Sequence, residues 1–325
     1  MSEPPPSSIG ARYRLQSVRV AGMPAVVLHD DAADLHATWV PAAGMLGASL
    51  VHHGEELLWQ GAGVAAYADT RTFMGVPFLH PWANRLEGFA YRAGGHDLEL
   101  DPGSPMLLRD EGGLPIHGVL TASREWTVRD AVAGADGARL SAVLYFDRPE
   151  LLAAFPFPHL VAMEVAVGGG ALQLRTTITA TGAGPVPVAF GHPYLRLPGA
   201  PRAAWEVAFP VRRRLVADHR LIPTGDTELV TPLSGPIGDR TWDDGFDRFE
   251  GAPVFDVSAG PRTLRVDLAE GFPVAQIFAP PGEEYVCVEP MTAPANALAG
   301  PDDALEWIPA GESRTTTFRL EVHDA

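Results

Sequence analysis

"ALQLRTTITATG", residues 171 to 182, alternates with a period of two: Leu172, Leu174 and Ile178 share one side, while Gln173, Arg175, Thr177 and Thr179 share the other. Successive side chains of an extended chain point to opposite faces, so this spacing predicts a strand with one face in a core and one in water. The same pattern returns in "TTTFRLEVHD" (315–324), with Phe318, Leu320 and Val322 inward, and in "SAVLYFD" (141–147). "GGG" at 168–170 reads as a turn ahead of the first of these strands. Punctuation by 34 glycines and 31 prolines, with no long amphipathic helix and no internal repeat, extends the reading to the whole chain. The expectation is an all-β protein, a large antiparallel β sandwich. No shift in composition divides it, so residues 1–325 are expected to form one domain, with residues 1–10 a loose N-terminus.

Composition narrows the function. A hydrophobic content of 46% in 325 residues is enough for a substantial core. All 24 basic residues are arginine, which excludes a Schiff-base lysine and a phosphate-loop lysine. A net charge of −16 argues against nucleic acid or an anionic membrane as partner. "MSEPPPSSIGARYRL" has no apolar run behind a basic start, and no stretch approaches the roughly 20 apolar residues that span a bilayer. The single cysteine, Cys287, can form no internal disulfide and no cysteine-rich zinc site. These features predict a soluble, cytoplasmic protein acting on a neutral small molecule.

The polar residues that interrupt apolar strands are the candidates for chemistry. "EEYVCVEPMTAPANAL" (283–298) sets Tyr285, Cys287 and Glu289 on one face against Val286 and Val288, with the strand expected to end at Pro290 and Glu289 at its mouth. "PVAQIFAPPG" (273–282) places Gln276 between Val274 and Phe278 on one face, and "GHPYLRL" (191–197) puts His192 and Tyr194 on a common side if extended. Each has an ordinary alternative. His192 fits a structural histidine satisfied by its neighbours, Arg85 a surface arginine, and Asp243 and Asp244 the start of a turn before Phe246. Trp82 and Trp242 could stack on a ligand or simply pack. Adjacent His52 and His53 would face opposite ways on a strand and make a poor metal pair, and "RRR" at 212–214 reads as a solvated stretch.

Taken in order, "PFLHPWANRLEG" (77–88), "IHG" (116–118), "GHPYLRL", "WDDGF" (242–246), "AQIF" (275–278) and "VEPMTAPANAL" (288–298) resemble the aldose 1-epimerase (galactose mutarotase) family, over about Gly75 to Leu298. The resemblance implies a galactose mutarotase-like β supersandwich that interconverts the α and β anomers of a free aldose. It makes Asn84 and Arg85 contacts to sugar hydroxyls, His117 a second pocket histidine, and His192 the proton donor with Tyr194 beside it. Asp243 is implied as the sugar-binding aspartate, with Asp244 leaving that register open by one residue. Gln276 is implied as the pocket glutamine and Glu289 as the proton acceptor. "LHPWANRL" and "TAPANAL" depart from the family pattern, which bears on sugar preference.

Opening a pyranose needs a base on the anomeric hydroxyl and an acid on the ring oxygen, so a carboxylate and an imidazole suffice, and no metal, nucleotide or redox cofactor is expected. The partner expected is a small sugar, and a homodimer is compatible with the sequence. Two other readings remain open. A non-catalytic sugar-binding protein could use the same polar surface, and a hexose 6-phosphate mutarotase would need arginines such as Arg212 to Arg214 or Arg240 to converge on the pocket.

Overall fold

A computed structural model describes residues 12–191 and 194–324. The strand read first from sequence runs Ala171–Ala180, with Leu172, Leu174 and Ile178 essentially inaccessible and Arg175 exposed. It pairs with His159–Gly168 through a hairpin whose two turn residues, Gly169 and Gly170, have φ of 63° and 77°. Positive φ at both central positions gives the turn twist that matches flanking strands, which is why glycine occupies them.

That hairpin lies within a nine-stranded antiparallel sheet. Its order is Thr127–Ala133, Ala138–Phe146, His159–Gly168, Ala171–Ala180, Ser313–Asp324, Arg262–Glu270, Val254–Ala259, Glu206–Phe209 and Leu233–Pro236. A five-stranded meander, Tyr13–Val20 through Met23–Asp30, Leu35–Val40 and Leu46–His52 to Glu55–Glu56, forms a second sheet. The third is six-stranded: Tyr194–Leu195, Val286–Met291, Val274–Ala279, Trp242–Phe249, Val211–Ala217 and Pro223–Leu229. Leu28 and Trp39 of the meander, Ile277 and Val288 of the six-stranded sheet, and Leu174 and Phe318 of the nine-stranded sheet all belong to one apolar cluster. The expected all-β antiparallel architecture is therefore present, and the sheets share a core. The α-helices among the described residues, Gly63–Thr70 and Pro149–Leu152, are short, and none is long and apolar enough to cross a membrane.

Two expectations are corrected. Val286–Met291 continues past Pro290, and all six of its residues are buried, so Glu289 sits inside a covered strand rather than at an open mouth. The alternation itself holds. Val286 and Val288 enter the main core, while Tyr285 and Cys287 pack on the other side with Trp59, Phe73 and Phe278. The second correction concerns His52 and His53, which do not point apart. The strand ends at His52, and His53 turns at φ 51°, bringing the two rings to a centroid distance of 4.0 Å.

The segment at 79–86 is tied by backbone pairing to 115–120, and Leu79 also bridges Gly191, which pairs with Met291 of the six-stranded sheet. His117 N–H donates to the Asn84 carbonyl at 3.0 Å, and Val119 and Leu120 N–H both donate to His80 O. Gly118 makes this approach feasible. It has φ +67°, and a β-carbon there would lie 2.1 Å from His80 O. Gly118→Ala is expected to cost about 3 kcal/mol or more, from backbone strain combined with a clash that side-chain motion cannot relieve. Gly113→Ala, also at positive φ but with open space around it, should cost only about 1 to 2 kcal/mol. Urea unfolding of the two variants checks the difference, and equal losses would contradict the close-packed account.

Candidate active site

Three neighbouring strands of the six-stranded sheet carry the acidic side of the site. Gln276 and Glu289 are direct cross-strand partners, and Gly245 faces Gln276 on the next strand. Gln276 donates through Nε2 to Asp243 Oδ1 at 2.7 Å. A β-carbon at position 245 would approach Gln276 Oε1 to 3.1 Å, so the glycine of "WDDGF" leaves room for the glutamine to reach Asp243. Asp244 points elsewhere and pairs with Arg214 at 3.0 Å. Between the two aspartates left open by sequence, Asp243 is the one that joins this cluster.

The basic side comes from the 79–86 segment paired with 115–120. Arg85 donates through Nε to Asp110 Oδ2 at 2.7 Å, and through Nη1 to Asn84 Oδ1 at 3.0 Å and to Asp243 Oδ2 at 3.5 Å. The Arg85 backbone N–H also donates to Asn84 Oδ1, so the asparagine oxygen is fully used and its amide N–H groups remain as donors. Asn84 and His117 both sit at positive φ, 56° and 62°, and the Asn84 backbone N–H donates to His117 Nδ1 at 3.1 Å. A ring nitrogen that accepts carries no proton, which leaves Nε2–H as the donor of a neutral imidazole. Burial, together with the Arg85 charge, pushes the His117 pKa down to about 3, so it is neutral across physiological pH.

Glu289 is 4% exposed, and its Oε2 has no hydrogen-bond partner among the described residues. Loss of water raises its pKa to about 8; Asp243 adds to the rise and Arg85 opposes it. Cys287 is buried two residues earlier, and its thiol is pushed up chiefly by burial, with Glu289 and Asp243 contributing. A buried carboxyl with an unused oxygen, beside a fixed fan of arginine, asparagine, imidazole and amide donors, can hold a polyhydroxylated ring and exchange a proton with it.

His192 lies outside the described residues, and Tyr194 pairs through its backbone with Cys287. Gly191 bridges Met291 and Leu79, and the Tyr194 backbone lies opposite Cys287. Met291 and Cys287 flank Glu289 on its strand. A β-carbon at Gly191 would meet Pro290 O at 3.0 Å, so the residue before His192 is pressed against the glutamate strand. Trp82 is 2% exposed and belongs to the core, so its packing reading holds. Trp242 lies under Arg240, 5.1 Å from the ring centroid.

Sequence reasoning missed two positioning residues. Asp110 fixes the Arg85 guanidinium, and its other oxygen accepts from Leu114 N–H, closing the turn "DEGGL". Asn296, at φ 63°, donates its backbone N–H to Arg85 O and accepts Glu87 N–H on its side chain. The turn-forming residues of "RDEGG" and the asparagine of "TAPANAL" were the available signals.

A family model described as aldose 1-epimerase matches residues 45–321. The chain belongs to the aldose 1-epimerase family. Solved structures share its fold at low identity. A galactose mutarotase-like protein from Clostridium acetobutylicum has a TM-score of 0.82 at 15% identity, over 97% of this chain and 99% of its own. Galactose 1-epimerase from Lactobacillus acidophilus NCFM has a TM-score of 0.77 at 14% identity, over 97% and 100%. A protein from Synechocystis sp. PCC 6803 has a TM-score of 0.76 at 21% identity, over 95% and 99%. No curated protein sequence matches this family member significantly.

The raised pKa of Glu289 has a sign that can be tested. Its pKa lies above the ordinary 4.5, so the folded state keeps a proton that the unfolded chain releases. Stability therefore falls as pH rises from about 4.5 to about 8. Glu289→Gln cannot ionise. At pH 9 the variant should be more stable than the parent by on the order of 3 kcal/mol, and at pH 4 the two should match. Urea unfolding at both pH values reads this difference, and a gap that does not change with pH would contradict the burial of an ionisable carboxyl.

Proposed function

We propose that the protein is an aldose 1-epimerase that interconverts the α and β anomers of a free aldohexose, such as glucose or galactose, by acid and base catalysis. The observation that carries this reading is Glu289, a buried carboxyl with a free oxygen and a pKa near 8, beside Asp243, Gln276 and Arg85. Once ionised, such a group accepts a proton far more readily than an ordinary carboxylate, and its pKa lies close to the pH at which it would work.

In the reaction, Glu289 takes the proton of the anomeric hydroxyl as the bond from the first carbon to the ring oxygen breaks. His192 gives that oxygen a proton. The open aldehyde rotates about its bond to the second carbon, the hydroxyl attacks the other face, and both protons return to their donors. No net oxidation or hydrolysis occurs. Arg85, Asn84, Asp243 and Gln276 hold the hydroxyl groups, and His117 offers a neutral N–H.

The arginines that a sugar phosphate would require are already engaged. Arg212 pairs with Glu250, Arg213 with Asp247, and Arg214 with Glu228 and Asp244, while Arg240 donates to backbone carbonyls. Together with the net charge of −16, this favours a neutral hexose over its 6-phosphate.

Polarimetry of freshly dissolved α-D-glucose and α-D-galactose tests the proposal. Acceleration by the parent is expected, with Glu289→Gln and His192→Asn each slowing it by a factor on the order of 100 or more. Saturable sugar binding with no acceleration would make the protein a binding module, and a strong preference for the 6-phosphate would overturn the choice of substrate.

A further inference from the structure

The corrected geometry of His52 and His53 creates a second cluster that the sugar reaction does not use. His52 closes the strand Leu46–His52, and Asp324 closes the strand Ser313–Asp324, so the cluster joins the five-stranded and nine-stranded sheets at one end. Asp324 Oδ2 lies 3.7 Å from His52 Nδ1 and 3.6 Å from His53 Nε2. These contacts are too long for good hydrogen bonds. They are close to the separation of about 3.4 Å between two ligands held at about 2.0 to 2.1 Å in a tetrahedral zinc site.

Two further observations set this cluster apart from a chance gathering of surface charges. His52 is 7% exposed, and its Nδ1 has no hydrogen-bond partner among the described residues, although it faces the carboxylate. The outer partners are also in place. His53 Nδ1 meets Asp34 Oδ2 at 3.2 Å, which fixes the ring and leaves Nε2 free for a ligand; the other Asp34 oxygen is held by His36 at 3.2 Å. Asp324 Oδ1 accepts from Arg262 Nε at 3.1 Å, leaving Oδ2 directed at the histidines. Arg262 also pairs with Glu55, which offsets its charge. A histidine oriented by a carboxylate, and a ligand carboxylate oriented by a donor, are how metal ligands are normally supported.

We propose that His52 Nδ1, His53 Nε2 and Asp324 Oδ2 bind one divalent transition-metal ion of the zinc class, with water completing the coordination, and that the ion ties the strand Ser313–Asp324 of the nine-stranded sheet to the N-terminal meander. Two imidazoles and one carboxylate suit Zn²⁺ and its neighbours, and lack the oxygen ligands that Ca²⁺ or Mg²⁺ require. The role is structural and separate from the sugar site.

The test uses the full chain without an affinity tag, stripped with EDTA and titrated calorimetrically with Zn²⁺. One ion per chain is expected at this site, along with a Zn²⁺-dependent rise in melting temperature and unchanged mutarotation of glucose. His52→Asn should weaken Zn²⁺ binding at least tenfold, because losing even a residue that only orients a ligand commonly costs 10–100-fold. Asp324→Asn, at a half-exposed strand end where folding is not at stake, should do the same and abolish the thermal shift. His29→Asn, in the nearby His29, Asp31 and His36 group, should leave affinity within twofold. Binding that survives both His52→Asn and Asp324→Asn, binding lost in His29→Asn, or no saturable binding at all would overturn the proposal.

Discussion

The site depends on a carboxyl held out of water. Glu289 occupies a strand buried on both faces, with valines on one side and Tyr285 and Cys287 on the other. Burying an ionised carboxylate there is costly, and the fold meets that cost by keeping the group protonated at rest. Asp243 adds to the pressure, and Arg85 limits it without forming a direct pair with Glu289. In the proposed reaction this carboxyl is a poised base. A direct ion pair to arginine would have lowered its pKa and weakened it as a proton acceptor.

Holding Arg85 at the correct remove takes much of the surrounding chain. Asp110 and Asn84 hold the guanidinium, Asn296 holds its backbone, and Gly118 lets the 115–120 segment lie against His80. His80 is anchored beneath by a buried contact between its Nε2 and His159 Nε2 at 2.8 Å, with His159 Nδ1–H donating to Phe157 O. Burial lowers the pKa of both imidazoles, so this support stays uncharged. The nine-stranded sheet thus reaches the candidate site through a histidine pair, and the six-stranded sheet reaches it through hydrogen-bonded register.

The residues that sequence could place are those whose roles follow from strand periodicity. Leu172, Leu174 and Ile178 alternate as expected, and the same rule put Gln276 and Glu289 on the face opposite Ile277 and Val288. Residues set by turns or by distant pairing were not legible. Whether Asp243 or Asp244 turns inward depends on which strand supplies Arg214. Strand alternation puts His52 and His53 on opposite faces because nothing in "VHHGEE" marks where the strand stops, whereas His53 at φ 51° breaks the alternation. Asp110 and Asn296 act across 25 and 209 positions of sequence, a separation that no local pattern encodes.

The most direct test of this account is the pH dependence of kcat/KM for mutarotation, which reports ionisations of the free protein. The account predicts one apparent pKa near 8, the value at which burial holds Glu289. In Asp243→Asn that ionisation should move to lower pH, because a negative charge that raises it has been removed, even though overall activity also falls. A profile with no ionisation between about pH 7 and 9, or one that Asp243→Asn leaves in place, would contradict the claim that Glu289 is a base poised by burial and by its neighbour's charge.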